Sequence, residues 1–210
     1  MDGLLLATEQ LALDLFEAAC RAHGIAPNRS IYYRCIGTRD ETTRRIIQDG
    51  YGPSFPYEKV HATWMRAYHD HVLARPVPAR PGAAEILALT ESLGLKVALA
   101  TSTRRSTAER KLALAGFDRY FDCIVGGDEV ARGKPDPDPY LIAAERLGVY
   151  APDCWAIEDS DNGVRSAHGA GMWVIQVPDL LPPGPDVADL GHCVLPSLDD
   201  VSALLRTRGL

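Results

Sequence analysis

The stretch CWAIEDSDNG, from Cys154 to Gly163, decides how this chain folds. Its apolar first half has the length of a buried strand, and the polar residues that follow favour the start of a helix. Glu158 and Asp159 stand between the two, where adjacent carboxylates raise one another's pKa unless a cation neutralises them. The stretch therefore predicts a strand, a turn and a helix, with two acids at the end of the strand.

The same alternation of strand and helix extends on both sides of this stretch. Short apolar strands that alternate with helices are typical of a parallel, doubly wound sheet. The predicted strands cover 96–100, 123–126, 154–157 and 173–177, and the predicted helices cover 83–92, 106–114, 139–147 and 162–170. We expect a Rossmann-like α/β core that binds its ligand at the carboxyl ends of the strands.

The residues before 78 follow a different pattern. Apolar residues recur at helical spacing over 9–23, 38–48 and 57–73, and a Pro-rich connector over 75–82 separates them from the predicted sheet. We expect an inserted α-helical cap domain over 13–77 and a core domain formed by 1–12 and 78–210. The aromatic residues between Tyr51 and Tyr68 are expected in the core of the insertion or on the wall of a substrate pocket.

Composition argues against several classes of function. The 210 residues are 46% hydrophobic, which is ample for a buried core, and the formal net charge of -6 offers no basic surface for nucleic acid. The five cysteines are scattered without zinc-site spacing, and no apolar run approaches the roughly 20 residues of a membrane span. We expect a cytoplasmic protein, a monomer or homodimer, that binds neither nucleic acid nor a membrane.

Two polar segments follow other predicted strands. The tripeptide Thr101-Ser102-Thr103 stands between a strand and a helix, where hydroxyls and free backbone amides bind anions. Lys134 lies between a glycine and a proline, in a turn that directs its compact charge toward a phosphate or a carboxylate. The alternatives are hydroxyls that only cap a helix and an ordinary surface lysine. Because both segments fall at strand ends, as the two acids do, we favour a phosphate site.

The two acids and Asp2 complete the predicted chemistry. Mg²⁺ suits Glu158 and Asp159 because it takes hard oxygen ligands and shares its other positions with water and substrate phosphate. The alternative is that these acids only cap the next helix. Asp2, in the turn Met1-Asp2-Gly3, is placed to protonate a departing alkoxide and then to deprotonate the attacking water. An Asp-Gly turn is common, so the partner segments give this assignment its weight.

In their order and spacing, these segments resemble the four motifs of the haloacid dehalogenase superfamily of aspartyl phosphatases. The resemblance is to the branch with a helical cap, which includes β-phosphoglucomutases and phosphoglycolate phosphatases, and it covers essentially the whole chain. The resemblance implies the following roles: general acid and base for Asp2; catalytic phosphate contacts for Thr101 and Lys134; further phosphate or substrate contacts for Ser102, Thr103 and Arg39; and Mg²⁺ ligands for Asp2, Glu158 and Asp159.

The sequence departs from the family pattern at its beginning. The resemblance places an aspartate nucleophile, at the end of a first core strand, immediately before Met1 and outside the 210 residues. We therefore expect this strand and the nucleophile to be missing from the sequence, either because the start is assigned too late or because both have been lost. Ala7 also stands where relatives usually carry aspartate.

The expected function is that of a Mg²⁺-dependent phosphatase. Its substrate would be a small phosphomonoester of the sugar phosphate or phosphoglycolate type, hydrolysed through an aspartyl phosphate. A phosphoglucomutase-type phosphotransferase, a dehalogenase, and a catalytically inactive protein that binds phosphate or a partner remain as alternatives. Cap loops set specificity in such folds, so the motifs do not name the substrate.

Overall fold

The computed structural model describes residues 1–36, 38 and 40–208, and the chain forms two compact units. The helical unit comprises Thr8–Pro76, and the sheet unit comprises Met1–Ala7 and Val77–Leu210. The predicted division at 13 and 78 cuts through the first helix, whereas this helix begins at Thr8 and lies whole in the helical unit.

The helical unit is built around an aromatic core. Its helices in the described residues are α1 (Thr8–Ala22), α2 (Arg29–Tyr33), α3 (Asp40–Tyr51) and α4 (Tyr57–Ala74). The rings of Phe16, Tyr32 and Trp64 meet there, with centroids 5.3, 5.4 and 5.8 Å apart. The Trp64 indole N–H donates a hydrogen bond to the Ala12 carbonyl at 2.9 Å. Phe55 and Tyr57 are also buried, so these aromatic residues serve as core.

The sheet unit alternates strands and helices, as predicted. Its elements are α5 (Ala83–Ser92), β1 (Ala98–Ala100), α6 (Arg105–Ala115), β2 (Cys123–Val125), α7 (Asp138–Leu147), β3 (Trp155–Glu158), α8 (Asp161–Gly169), β4 (Trp173–Gln176), α9 (Pro185–Ala188), β5 (Cys193–Val194) and α10 (Leu198–Arg208). The elements after β4 are not predicted by the sequence pattern. Of the helices in the described part of the chain, none has the length and apolar character that crossing a bilayer requires.

All strand pairs in these elements are parallel, which confirms the predicted α/β class. β1 pairs with β2, and β3, β4 and β5 form a second ladder in that order. In the described residues the two ladders are not joined by hydrogen bonds between β1 and β3. The sheet is therefore present in two pieces, and its carboxyl ends carry the predicted site residues.

The first seven residues pack back onto the connector that leads into α5. Leu6 is fully buried, the Ala7 N–H donates to the Pro78 carbonyl, and the Arg80 N–H donates to the Leu5 carbonyl, both at 2.9 Å. Arg80 also donates through its guanidinium to the Gly3 carbonyl at 2.7 Å. These bonds fix the position of the turn that carries Asp2.

Candidate active site

Glu158, the last residue of β3, is held by a lysine and a tyrosine. Its carboxylate is 5% exposed and forms an ion pair with Lys134, which also donates a hydrogen bond to the Ala100 carbonyl at 3.0 Å. The Tyr140 hydroxyl donates to the same carboxylate at 2.5 Å. Burial raises the pKa of Glu158, but the charges of Lys134 and of the amino terminus, with the hydrogen bonds from Lys134 and Tyr140, outweigh it and lower the pKa to about 2. Glu158 is therefore an ionised acid with a fixed cation beside it.

The start of α8 makes room for this carboxylate. A Cβ atom on Gly163 would lie 2.0 Å from Glu158 Cδ, so glycine is required at this position. The side chain that caps the helix is Ser160, whose hydroxyl oxygen accepts a hydrogen bond from the Gly163 N–H at 3.2 Å. Because Ser160 supplies the cap, Glu158 and Asp159 remain available for other contacts.

Asp159 lies against the Asp2-Gly3 turn. Gly3 has a φ of 72°, and a Cβ atom there would be 2.2 Å from Asp159 Oδ2. Burial and the charge of Glu158 raise the pKa of Asp159 to about 7. Asp179 Oδ2 would lie 3.4 Å from the same Cβ position, and it is a buried oxygen without a hydrogen-bond partner in the described residues. Two carboxyl groups thus lie close to Gly3, and Arg80 forms an ion pair with one of them, Asp179.

Asp2 is bound by one side chain from α6 and one from the loop before it. Lys111, which is 3% exposed, donates to Asp2 Oδ1 at 2.8 Å, and the Thr103 hydroxyl donates to Oδ2 at 2.7 Å. Burial raises the pKa of Asp2, but the charges of Lys111 and of the amino terminus, with the hydrogen bonds from Lys111 and Thr103, outweigh it, so the pKa lies below its usual value. In this arrangement Asp2 is ionised, which suits a base that accepts a proton from water.

The loop after β1 presents the predicted hydroxyls. Thr101 is buried, and its N–H donates to the Val125 carbonyl at 3.0 Å. Its own hydroxyl oxygen accepts a hydrogen bond from the Thr103 N–H at 3.1 Å. This local bond holds the loop in a turn, so the segment Thr101–Thr103 has a defined shape at the strand end.

Direct contacts join the predicted segments. Asp2 binds Thr103, Gly3 lies against Asp159, and Lys134 links the end of β1 to Glu158. Residues from 2–3, 100–103, 134 and 158–159 therefore form one cluster at the carboxyl ends of β1 and β3. Arg39, the expected substrate contact, lies outside the described residues.

The chemistry around Asp159 fits a divalent cation with oxygen ligands. Asp159 is half-buried and its carboxyl has a raised pKa, and Asp179 Oδ2 beside it lacks a hydrogen-bond partner within the described ranges; a cation compensates both. Residues 1–36, 38 and 40–208 contain no group of three His, Cys, Asp or Glu side chains arranged to hold a metal. A cation would therefore need backbone carbonyls, water and substrate oxygens as further ligands, as Mg²⁺ commonly does.

Sequence reasoning did not single out Lys111, Tyr140, Arg80 or Asp179. Lys111 meets Asp2 across 109 positions of sequence, and no local spacing connects them. Tyr140 lies six positions after Lys134, on the first turn of α7. Its closeness in sequence to the predicted lysine could have indicated that it belongs to the site. Burial of a charged group is a property of the folded chain, and the sequence does not show it for Lys111 or Asp179.

A parallel sheet that gathers a lysine, acids and hydroxyls at its carboxyl ends defines the class of α/β proteins that bind an anionic ligand at this edge. Residues 1–177 match the family of haloacid dehalogenase-like hydrolases, and the chain belongs to that family. The predicted family and the predicted hydrolase class are thereby confirmed.

Three relatives illustrate the match. A phosphorylated carbohydrates phosphatase from Thermotoga maritima is 31% identical over 176 residues, which are 82% of this chain and 79% of that protein. A HAD family hydrolase from Deinococcus radiodurans, solved with bound phosphate and sodium, has a TM-score of 0.85 and 26% identity and covers 100% of this chain and 94% of its own. A mutant of CbbY from Rhodobacter sphaeroides, solved with xylulose-(1,5)bisphosphate, has a TM-score of 0.69 and 28% identity. The match covers 94% of this chain and 92% of that one.

Proposed function

We propose that this chain provides the catalytic site of a Mg²⁺-dependent phosphatase for a small phosphorylated metabolite. The observation that carries the proposal is the chain of contacts from Asp2 to Thr103, from Gly3 to Asp159, and from Ala100 through Lys134 to Glu158. These contacts bring a base, hydroxyls, a cation and a carboxyl pair from four distant segments to one edge. Such a set serves phosphoryl transfer, where catalysis is mainly positioning and charge stabilisation.

Lys134 and the loop Thr101–Thr103 are the proposed phosphate contacts. Lys134 is 10% exposed at its side chain, so its charge acts in a site where water screens it little. Glu158 keeps that ammonium at the strand end, and the hydrogen bond to the Ala100 carbonyl places it beside the hydroxyl loop. Phosphate oxygens entering there would meet the lysine and the hydroxyls together.

Asp159, with the backbone carbonyl of Asp2 that the resemblance implies, is the proposed holder of Mg²⁺. Mg²⁺ bound there supplies positive charge to the phosphoryl oxygens. Asp159 itself is suited to this role because it is half-buried and its carboxyl has a raised pKa, so that a neighbouring cation favours its ionised form. Glu158, bound to Lys134, is proposed to support Asp159 and the lysine.

Asp2 is the proposed general acid and base. Its ionised form, stabilised by Lys111 and Thr103, accepts a proton from the water that cleaves an acyl phosphate. The resemblance places the attacking aspartate next to Met1 on its amino side, outside residues 1–210. The described residues therefore account for phosphate binding, charge and proton transfer, and the covalent step is assigned to that aspartate.

The names of the relatives support a carbohydrate phosphate as substrate. One relative is a phosphatase of phosphorylated carbohydrates, and one related structure holds a sugar bisphosphate. We propose a substrate of this class, with Arg39 as a contact to the part distant from the phosphate.

The test is Mg²⁺-dependent phosphate release from p-nitrophenyl phosphate and a panel of sugar phosphates. It compares three proteins: residues 1–210, a version with four apolar residues and an aspartate added before Met1, and a matched version in which asparagine replaces that added aspartate. We expect turnover with the aspartate and a loss on the order of a millionfold with the asparagine, if a serine protease nucleophile is a guide.

Two further variants assign the site in the aspartate-extended version. Lys134→Ala and Asp159→Asn are expected to abolish turnover, whereas Lys59→Met, at an exposed lysine of the helical unit, is expected to retain it. Turnover that survives Lys134→Ala or Asp159→Asn would show that the assignment is wrong. Absence of turnover from every folded version would overturn the phosphatase proposal.

A further inference from the structure

Tyr140 reaches the charged pair of Lys134 and Glu158 from the first turn of α7. Its side chain is buried, and its hydroxyl donates a hydrogen bond to Glu158 Oε1 at 2.5 Å. The centroid of its ring lies 5.0 Å from Lys134 Nζ, so the ring also contacts the ammonium group. Tyr140 thus contacts two residues of the proposed site without being one of its phosphate contacts.

The carboxylate of Glu158 has donors on both of its oxygens. Lys134 and Tyr140 bind Oε1. Oε2 accepts hydrogen bonds from the Ser160 hydroxyl and from the Asp159 N–H, each at 3.2 Å. Hydrogen bonds to an ionised carboxylate are roughly twice as strong as those between neutral groups. The negative charge of Glu158 is therefore compensated by several donors and not by the lysine alone.

The ammonium group of Lys134 uses its N–H donors unequally. One donor binds the Glu158 carboxylate, and one binds the Ala100 carbonyl at 3.0 Å. The Tyr140 hydroxyl oxygen lies 3.5 Å from Lys134 Nζ, at the outer limit of a hydrogen bond. Because an ammonium group has three donors in all, the one directed to Tyr140 is held most weakly, and a phosphate oxygen would replace this contact most readily.

We propose that Tyr140 is a positioning residue for the phosphate contact of Lys134. Its hydroxyl donates to Glu158 and so reduces the negative charge that this carboxylate presents beside a bound phosphate. The same hydroxyl oxygen holds the third Lys134 N–H loosely until a phosphate oxygen replaces it. The role rests on the proposed function, and Tyr140 itself makes no contact with the phosphate.

Tyr140→Phe separates this role from that of a ring that only fills the core. Tyr140 packs in a cluster of buried apolar residues with Ala156 and Val164, and phenylalanine keeps the ring in this cluster and against the Lys134 ammonium. The substitution therefore removes the hydroxyl alone. Calorimetry with inorganic phosphate and Mg²⁺ compares residues 1–210 with this variant. We expect the variant to bind phosphate at least about fivefold more weakly, because one hydrogen bond to a charged group is lost.

Tyr150→Phe is the matched control, because Tyr150 is 71% exposed and its hydroxyl is expected to have no effect on phosphate affinity. If the unaltered chain binds phosphate and Tyr140→Phe binds it equally well, the role of Tyr140 alone is overturned. If the unaltered chain binds no phosphate, the proposed phosphate site is overturned, and the role of Tyr140 with it.

A second pair of variants tests whether the effect passes through Glu158. In a Glu158→Gln background no carboxylate charge remains to be compensated, so adding Tyr140→Phe should change the phosphate affinity by less than about twofold. An equal loss of affinity with Glu158 and with glutamine at that position would overturn the proposal.

Nuclear magnetic resonance provides a test on the unaltered chain, which does not depend on the folding of a variant. The ¹³C resonance of Tyr140 Cζ should shift when phosphate is added, because the Lys134 N–H leaves the hydroxyl oxygen, whereas the resonance of the exposed Tyr150 should stay in place. A Tyr140 resonance that does not move at saturating phosphate would overturn the proposal.

Discussion

The helical unit and the sheet unit bury different kinds of groups. The helical unit encloses aliphatic and aromatic side chains, such as Leu13 and Phe16 at 0% and 1% exposure, and its buried acid, Glu17, accepts hydrogen bonds from two arginines. The sheet unit buries Glu158 and Lys111, and it carries a cleft beside its strands. The helical unit thus consists mainly of packed apolar side chains, whereas the sheet unit holds buried charges in fixed positions.

The difference determines where each unit gains and loses stability. Close packing of apolar groups stabilises a fold at any pH, because no proton is gained or lost. A buried charge costs free energy unless a partner compensates it, and its contribution changes with pH. The two units should therefore respond differently to substitutions and to pH.

The largest expected effect is that of Lys134→Met in the sheet unit. The substitution leaves Glu158 buried without its cation, which costs about 3–5 kcal/mol of unfolding free energy when one partner of a buried pair is removed. Although burial raises the pKa of Glu158, Lys134, together with the amino-terminal charge and the Tyr140 hydrogen bond, brings it down to about 2 from 4.5. The stabilisation is therefore present above about pH 4.5 and is lost as the pH falls toward 2.

Urea unfolding from neutral to acidic pH measures this loss. The double variant Lys134→Met, Glu158→Gln is the control, because it removes the uncompensated charge and should recover much of the stability. A difference between wild type and Lys134→Met that stays constant down to pH 2 would contradict the role given to the ion pair.

Leu13→Ala is the corresponding substitution in the core of the helical unit. Leu13 is fully buried in the aromatic core, and truncation should cost about 3 kcal/mol through lost burial and the cavity left behind. The same urea experiment is expected to give an equal loss from about pH 4 to about pH 8, since no titrating group is removed. A loss that varies with pH across this range would remove the distinction between the two units.

The sequence predicts the sheet unit well at the level of elements, for a physical reason. Short apolar runs between helices have few alternatives to a parallel strand, and β2 and β4 lie within one residue of their predicted bounds. β1 is shorter than predicted because the N–H of Val97 bonds to the Asp122 side chain, so the regular ladder begins at Ala98. β5 has two residues and carries too little pattern to predict.

The site was predicted where its residues follow strands, and missed where its residues meet only in the fold. Lys134 and Glu158 lie at predicted strand ends, and the structure brings them into contact. The pairing of Lys111 with Asp2 and the position of Asp179 depend on tertiary packing, for which the chain has no local signal. The roles predicted for Lys134, as a phosphate contact, and for Glu158, as a Mg²⁺ ligand, stay predictions.

Asp159→Asn tests the cost of keeping a charge in the sheet unit. Burial and Glu158 raise the pKa of Asp159 from 3.8 to about 7, so the wild type loses stability as the pH rises through this interval. The asparagine variant avoids this loss and should be more stable by about 1–2 kcal/mol at pH 8, with the gain growing from about pH 4 to about pH 7. Thermal unfolding across this range measures the gain.

Mg²⁺ should make the wild type more stable than the Asp159→Asn variant. A cation that binds the folded wild type stabilises it by about 2.7 kcal/mol at 100 times its dissociation constant, whereas the asparagine variant lacks the ligand charge. Asp189→Asn, at an exposed acid of the same unit, is the matched control and should show neither effect. An asparagine variant that is less stable than the wild type in metal-free buffer at pH 8 would contradict the proposed cost of the Asp159 charge.

The smallest expected effect comes from Arg44→Gln, which removes an ion pair from the surface of the helical unit. Arg44 binds Glu58 at 2.5 Å, but their side chains are 48% and 70% exposed, so water screens the attraction and both side chains lose freedom in forming it. The unfolding free energy should change by less than about 0.5 kcal/mol, and added salt should abolish the difference. The Lys134–Glu158 pair joins the same two signs of charge in a buried position, so a loss here as large as that of Lys134→Met would mean that burial does not set the strength of ion pairs in this chain.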